Sequence, residues 1–348
     1  MLKRFLPLLF LLLSILAACH KDDSANRTTA TRRNTIVLYC DDEFMSSGLG
    51  QKVLPLFEQK YKCHVDVVNL QDTNQLMERL KAEKNHPKAD VVIGLNNMYL
   101  TDILENNLLD DYYPTGMHVI QKDFLYDPSF HLVPYGYGYL GILYDSDVVL
   151  DPPDNFGELQ DFKYKQDLLV PDAMKSCLGR ATLFWTVAAF GEDGYEQFWR
   201  SIRKNISQIT PTAFNARQLF MQSDGVMMVG YTTTPAYYSE TMNNDRVKCF
   251  VPLEGSFLVM PSAGIIRKAP NLSLSRKFMD FMLSESFQKM VPETQWIYPI
   301  DSSIQTPPSF SLAPLSVITV NDRLTSDQIL TNSSKWFDFW SRYISFVE

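Results

Sequence analysis

Apolar and polar positions change period at regular intervals along this chain. Thr35-Ile36-Val37-Leu38-Tyr39-Cys40 is an unbroken apolar run of strand length, stopped by the acidic turn Asp41-Asp42-Glu43. Val53, Leu54, Phe57 and Tyr61 then recur at helical spacing, with Pro55 in the first turn or two. His64-Val65-Asp66-Val67-Val68-Asn69-Leu70 predicts a second strand, and Leu76, Met77 and Leu80 a helix capped by Asp72 or Thr73. Ala89-Asp90-Val91-Val92-Ile93-Gly94-Leu95 is a third strand, ending at Asn96-Asn97. Strand, helix, strand, helix, strand at this cadence predicts an α/β fold built on a mainly parallel sheet with helices on its faces. Ligands of such sheets sit beyond the carboxyl ends of the strands, which puts Asp41, Asp42, Asn96 and Asn97 on one rim.

The cadence breaks at residues 131–144, where Tyr135, Tyr137 and Tyr139 alternate with glycines. Three rings would line one face while the other lets a second backbone come close. Such a strand suits a crossing between two lobes, where it would bend as they close. Leu168-Leu169-Val170 is a short strand, and Lys175-Ser176 then begin a long apolar helix that runs through Phe184-Trp185 to Phe190. Backbone donors, one hydroxyl and one positive charge at a helix start form an anion seat; a plainly capped helix with a solvated Lys175 is the other reading.

Amphipathic helices follow around Tyr195, Phe198, Trp199 and Ile202, and from Phe214 to Met221. The buried run Val226-Met227-Met228-Val229 then leads into Tyr231-Thr232-Thr233-Thr234-Pro235-Ala236-Tyr237-Tyr238. Thr234 is the expected N-cap, with Pro235 in the first turn. A strand running into a helix start offers backbone N–H groups, and here tyrosines flank them. That is one wall of a site for a polar, ring-containing small molecule, or else an ordinary junction with core tyrosines. Further on, Trp296-Ile297-Tyr298-Pro299 is an aromatic loop. Trp336, Phe339, Trp340, Tyr343 and Val347 mark a core-facing C-terminal helix, in which the two tryptophans take no ligand role.

Length and composition add boundaries. A chain of 348 residues exceeds what one core organises, so two lobes are expected. Lys3 and Arg4, the apolar run Phe5 to Leu13, and Leu16-Ala17-Ala18-Cys19 describe a secretory signal too short to span a membrane. Residues 20–34 are polar and aperiodic, which reads as a flexible tether. Removal of residues 1–18 takes away Lys3 and Arg4 and no acid, so the formal charge of −8 becomes −10. An acidic body argues against nucleic acid as partner. Cys40, Cys63, Cys177 and Cys249 fit no metal motif, and separate buried thiols are expected rather than any of the three possible pairings. There is no Ser/His/Asp ordering, G-x-S-x-G, Walker sequence or H-E-x-x-H.

These pieces resemble a solute-binding protein of an ABC importer. Lys88-Ala89-Asp90-Val91-Val92-Ile93-Gly94-Leu95, Val133-Pro134-Tyr135-Gly136-Tyr137-Gly138-Tyr139, Tyr231-Thr232-Thr233-Thr234-Pro235-Ala236-Tyr237 and Trp296-Ile297-Tyr298-Pro299 are similar, in order and spacing, to motifs of the periplasmic thiamine-binding proteins. The resemblance implies a two-lobed periplasmic-binding-protein-like fold of type II. Lobe 1 would hold residues 35–135 and 255–300, and lobe 2 residues 136–254 and 301–348. It implies a bacterial lipobox, with Cys19 lipidated as the first mature residue, residues 19–34 as the tether, and a periplasmic or cell-surface location.

Tyr231, Tyr237 and Trp296 match aromatic positions around the vitamin's rings; Ser176 and Gly179 match a segment that receives its hydroxyl or phosphate end. Asp42 matches an acidic position after the first strand, and Tyr135, in the second motif, is taken as a further contact. Three positions depart from the family. Ser46-Ser47-Gly48 stands where a tryptophan is common, Phe214 is the available substitute for a second tryptophan, and Asn96 replaces an acid after the third strand.

The implied function is capture of thiamine, or one of its phosphates, and delivery to ABC permease subunits by a monomer needing no cofactor or metal. A pyrimidine precursor or other heterocycle is an alternative, as is ferric iron held by Tyr237-Tyr238. A two-lobed hydrolase is the alternative from another class.

Overall fold

The computed structural model describes residues 34–345 apart from 223–224 and 315–316. The predicted signal, Cys19, nearly all of the tether, and Val347 lie outside the described residues. In chain order the elements begin with β1 (Thr35–Asp41), α1 (Asp42–Ser46), α2 (Leu49–Tyr61), β2 (His64–Leu70), α3 (Thr73–Glu83) and β3 (Val91–Asn96). Next come α4 (Leu100–Glu105), β4 (Leu109–Asp110), β5 (Val133–Pro134), β6 (Gly136–Asp145), β7 (Leu168–Pro171), α5 (Cys177–Ile202) and β8 (Ile206–Thr210). Then follow α6 (Ala213–Met221), β9 (Met227–Tyr231), α7 (Thr234–Met242), β10 (Val247–Phe250), β11 (Leu258–Val259) and β12 (Pro261–Ile266). The chain closes with α8 (Leu272–Met282), α9 (Glu285–Gln288), α10 (Met290–Thr294), β13 (Tyr298–Pro299) and α11 (Ser326–Tyr343).

Two sheets centre the two lobes of a type II periplasmic-binding-protein fold. The first runs β2-β1-β3-β12-β4 with β5 beside β12; β1 is parallel to β2 and β3, and β12 is antiparallel to β3. The second runs β10-β6-β9-β7-β8, with β7 parallel to β8 and β9, and β6 antiparallel to β9 and β10. Sequence alternation decides the layers. Ile36, Leu38 and Cys40 of β1 pack with Val53 and Phe57 of α2 and Phe278 of α8, while Tyr39 turns to Leu76 and Leu80 of α3. That second layer runs without a break into the core of the other lobe, where Trp199 meets Trp340 edge-on at 4.9 Å.

The chain crosses between sheets at Tyr135 and again at Met260, and Tyr135 N–H donates to the Pro261 carbonyl at 3.0 Å. Leu258 and Val259 still pair with β6, so sheet membership changes at Met260; we propose lobe boundaries at 135/136 and at Met260, the latter in place of 254/255. Asn97 ties the second crossing down, donating to the Leu258 carbonyl at 3.1 Å and accepting from Met260 N–H at 2.9 Å. This hinge role differs from the open rim position expected for Asn97.

Other expectations shift by local geometry. The cap of α7 is Thr233 rather than Thr234, and Thr233 Oγ1 donates to the Trp296 carbonyl instead of capping the helix. Asp72 caps α3 through a bond from Gln75 N–H. The long helix α5 breaks at Gly191, whose φ of 72° only glycine adopts freely. Trp336 and Trp340 of α11 are fully buried, but Tyr343, the last residue of the helix, is 43% exposed with its ring against Phe339 at 5.3 Å. All four described cysteines are free thiols.

Candidate ligand-binding cleft

Strand ends from both sheets converge between the lobes: β1 at Asp41, β3 at Asn96, β7 at Pro171 and β9 at Tyr231. The lobes touch along this line. Asn96 Nδ2 lies 2.9 Å from Cys177 Sγ, Asn74 Nδ2 lies 3.5 Å from the Met174 carbonyl, and Arg217 lies 3.9 Å from the Glu43 carboxylate. Tyr231 packs against the apolar layers of both lobes at once. The crossing strand lies flush against its ring: a Cβ at Gly138 would be 2.6 Å from Tyr231 Cδ1. Gly138 therefore sets how close β6 comes to the Tyr231 ring.

Asp41 is the acid at the inner end. Its Oδ1 accepts from Phe44 N–H at 3.1 Å, capping α1, and its carboxyl occupies the space a side chain at Gly94 would need. Burial first, then the Glu43 charge, push its pKa up to about 8, and the bond from Phe44 offsets only part of that. The same burial holds the Tyr135 and Tyr231 hydroxyls neutral, with pKa values well above the usual phenol range, and pushes the Cys177 thiol up to about 11. The inner cleft thus has neutral hydroxyls and a thiol around one carboxyl whose charge depends on its surroundings.

The aromatic wall forms where α7 meets the loop before β13. The Tyr237 and Trp296 rings meet edge-on with centroids 5.9 Å apart, and Phe310 backs Trp296 at 6.2 Å. Trp296 holds φ of 55°, a left-handed conformation costly for a bulky residue, and the Thr233 hydroxyl pins its carbonyl. A strained backbone kept by a cross-link from the opposite strand end is the kind of feature that accumulates at ligand clamps.

On the far side, Ser176 caps α5, its Oγ accepting from Gly179 N–H at 3.4 Å, so the helix start faces the cleft beside Asn96. Lys175 leans back to Asp172 at 3.6 Å rather than forward. Gly179 is required by packing, because a Cβ there would strike the Pro171 and Asp172 backbone.

The structure brings Tyr237 and Trp296 into ring contact, and sets Tyr231 at the end of β9 and Ser176 at the start of α5. Tyr135 is buried against Phe287 at 5.7 Å. The three tyrosines of the crossing therefore do not share a face: Tyr137 stacks between Phe124 (4.2 Å) and Tyr298 (5.2 Å), with Tyr139 edge-on beside it. Asp42 is exposed at the outer lip, where Asn69 Nδ2 donates to it at 3.0 Å. Phe214 is 58% exposed on α6, one turn before Arg217. The strand-end pattern placed Asp41 on the rim with Asp42 but did not single it out as a ligand contact, and nothing local marked Glu43, Cys177 or Arg217. The available signal for Asp41 was a glycine, Gly94, one residue past Ile93, which pairs with Cys40, but that register is invisible without the sheet.

With this geometry in place, comparison with known proteins is decisive. The family model for bacterial extracellular solute-binding proteins matches residues 86–323. The chain belongs to that family. It is 29% identical over 316 residues to the thiamine-binding periplasmic protein of Brucella suis biovar 1 (strain 1330), covering 89% of this chain and 92% of that protein. It is 28% identical over 353 residues to the thiamine-binding periplasmic protein of Escherichia coli (strain K12), covering 99% and 100%.

Among solved structures, a periplasmic thiamin binding protein matches with a TM-score of 0.81 at 26% identity over 89% of this chain and 96% of that one. The apo ferric ion-binding protein A of Pasteurella haemolytica matches with a TM-score of 0.74 at 15% identity, over 90% and 100%, a likeness of fold alone. As a solute-binding protein with periplasmic relatives, this chain acts in the periplasm on a small-molecule ligand, with an ABC permease as partner, and is not an enzyme.

Proposed function

We propose that this solute-binding protein captures thiamine, or a thiamine phosphate, between its lobes and delivers it to the permease as a monomer held to the membrane by lipid on Cys19. The observation that carries the ligand is the edge-on pair of Tyr237 and Trp296, 5.9 Å apart; in this reading Tyr231, the Asp41 carboxyl and the helix start at Ser176 complete the site. A pyrimidine stacks on flat rings, a fixed thiazolium charge is stabilised by ring faces and a carboxylate, and a hydroxyl or phosphate tail suits helix N–H donors. The thiamine-binding relatives point the same way. Ferric iron is disfavoured by Tyr238, which is buried, its ring edge-on to Tyr237 at 5.3 Å and tilted against Phe220 at 6.3 Å, with its hydroxyl pushed up by burial away from the phenolate form.

Trp296 is the partly exposed indole at the wall, and Trp185, Trp199, Trp336 and Trp340 are buried in the core. Thiamine should therefore quench fluorescence mainly through Trp296, and Trp296→Phe should remove most of the quench. At a hundredfold excess over Kd, thiamine should also add about 2.7 kcal/mol of stability. Absence of quench and of any melting shift at millimolar thiamine, its monophosphate and its diphosphate would reject the reading.

A further inference from the structure

The turn from β7 into α5 is wound on one carboxylate. Asp172 follows β7 directly and is 5% exposed. Its backbone is held from both directions. The Asp172 N–H donates to the Thr210 carbonyl of β8 at 2.8 Å, and the Asp172 carbonyl accepts from Lys175 N–H at 3.1 Å and Ser176 N–H at 2.8 Å. Its Oδ1 takes two further donors: Met174 N–H at 2.9 Å, which closes the turn, and the Trp340 indole N–H of α11 at 2.9 Å. Trp340 is fully buried and edge-on to Trp199, so this donor comes from a packed helix 168 residues further along the chain. Lys175 is the looser partner, 3.6 Å from Oδ2 on a side chain that is largely exposed. The turn also meets lobe 1, where Asn74 donates to the Met174 carbonyl and is itself held by the Tyr99 hydroxyl at 2.8 Å.

Resting on the reading of the Ser176 helix start as the seat of the ligand's tail, we infer that Asp172 is a positioning residue for that seat, and that the C-terminal helix sets its place through Trp340. Neither residue touches the ligand. The seat consists of donors at the start of α5, and their aim follows the path of residues 172–176. Gly179 lies so close to the Asp172 carbonyl that a Cβ there would strike it, which leaves the first turn of α5 no room to slide. A swing of the turn away from α11 would strip a buried carboxylate of an N–H donor, and bonds to a charged group are costly to leave unmade. The donors are therefore ordered before the tail arrives, which is how residues that do not contact a ligand raise its affinity. Trp336, one turn earlier on α11, is equally buried but donates to Glu192 at 3.0 Å, on the far side of the Gly191 break.

The experiment is titration calorimetry on the full mature protein, comparing the tighter of thiamine and its monophosphate with the analogue in which hydrogen replaces the hydroxyethyl arm. The ratio of the two affinities reads the seat alone, because both ligands carry the same pyrimidine and thiazolium. The wild-type protein should favour the arm by about tenfold or more, the worth of one good hydrogen bond. Trp340→Phe keeps a buried ring and removes the N–H, and should cut that preference to about threefold or less. Asp172→Ala removes the acceptor and should abolish it, while Asp172→Asn keeps an oxygen for both donors and should recover most of the loss. Affinity for the armless analogue should stay within about twofold throughout. Trp336→Phe removes the other buried indole N–H of α11; it should lower Tm as Trp340→Phe does and keep the full preference.

An undiminished preference in Trp340→Phe and Asp172→Ala would overturn the inference. So would an equal loss in Trp336→Phe, which would mark the effect as general loosening of α11. Where a variant does not fold, the wild-type protein decides: the Trp340 indole and Met174 amide protons should exchange slowly without ligand, and fast exchange would show that the turn is not held. Equal wild-type affinity for the armed and armless ligands would overturn the inference while leaving thiamine as the ligand. Binding of none of the three would reject the ligand reading and this inference with it.

Discussion

At the scale of single residues, the cleft's chemistry is set by burial more than by the identity of its acids. Asp41 and Asp42 are adjacent and chemically identical, yet Asp42 is exposed while Asp41 is half-buried, and desolvation raises the Asp41 pKa from 3.8 to about 8. The folded protein therefore holds a proton that the unfolded chain releases above pH 4. Stability from this group is complete below about pH 4 and is lost as pH rises through 8, because the folded state binds more protons in that window. Thermal melts of the ligand-free protein should show Tm falling from pH 5 to pH 8, and Asp41→Asn should remove this component. A wild-type Tm that rises or stays level, with no difference in the variant, would show that Asp41 is ionised in the ligand-free fold.

At the scale of elements, the crossing strand β6 is the part whose sequence and role agree most closely. Its glycines let the strand lie against Tyr231 and against Tyr298 and Ile297, while Tyr137 and Tyr139 form the stacked group on the other side. Gly138→Ala would put a methyl into the Tyr231 ring. Overpacking of this kind costs about 1–3 kcal/mol. Urea unfolding should show a loss of that size, and thiamine affinity should fall by tenfold or more as Tyr231 moves; unchanged affinity would mean that Tyr231 is not a ligand contact.

At the scale of the whole molecule, two lobes meet through a few polar contacts at the cleft and a continuous apolar layer behind it. The Glu43–Arg217 pair spans the mouth at 3.9 Å with both side chains more than a third exposed. Exposed pairs contribute at most about 1 kcal/mol. Arg217→Ala should therefore speed ligand release by no more than about fivefold in stopped-flow fluorescence, and added salt should shrink the difference. A hundredfold change would place Arg217 in contact with the ligand itself.

Local patterns determined a great deal of this protein. Periodicity and caps carried the order of strands and helices, because each depends on residues within a few positions of one another. The alternating glycines and tyrosines marked the crossing, and the stretches carrying Tyr237 and Trp296, whose rings meet in the fold, stood out as local motifs. Tertiary structure decided which side chains enter the cleft. Asp41 rather than Asp42 turns inward because β3 presents Gly94 beside it. Tyr135 parts from Tyr137 because it sits at the break between β5 and β6. Gly179 serves packing because α5 presses on the end of β7, and Tyr238 belongs to the core because α7 lies against Phe220 of α6. Each of these depends on register between segments far apart in the chain, and on how closely two lobes approach, which no local pattern encodes.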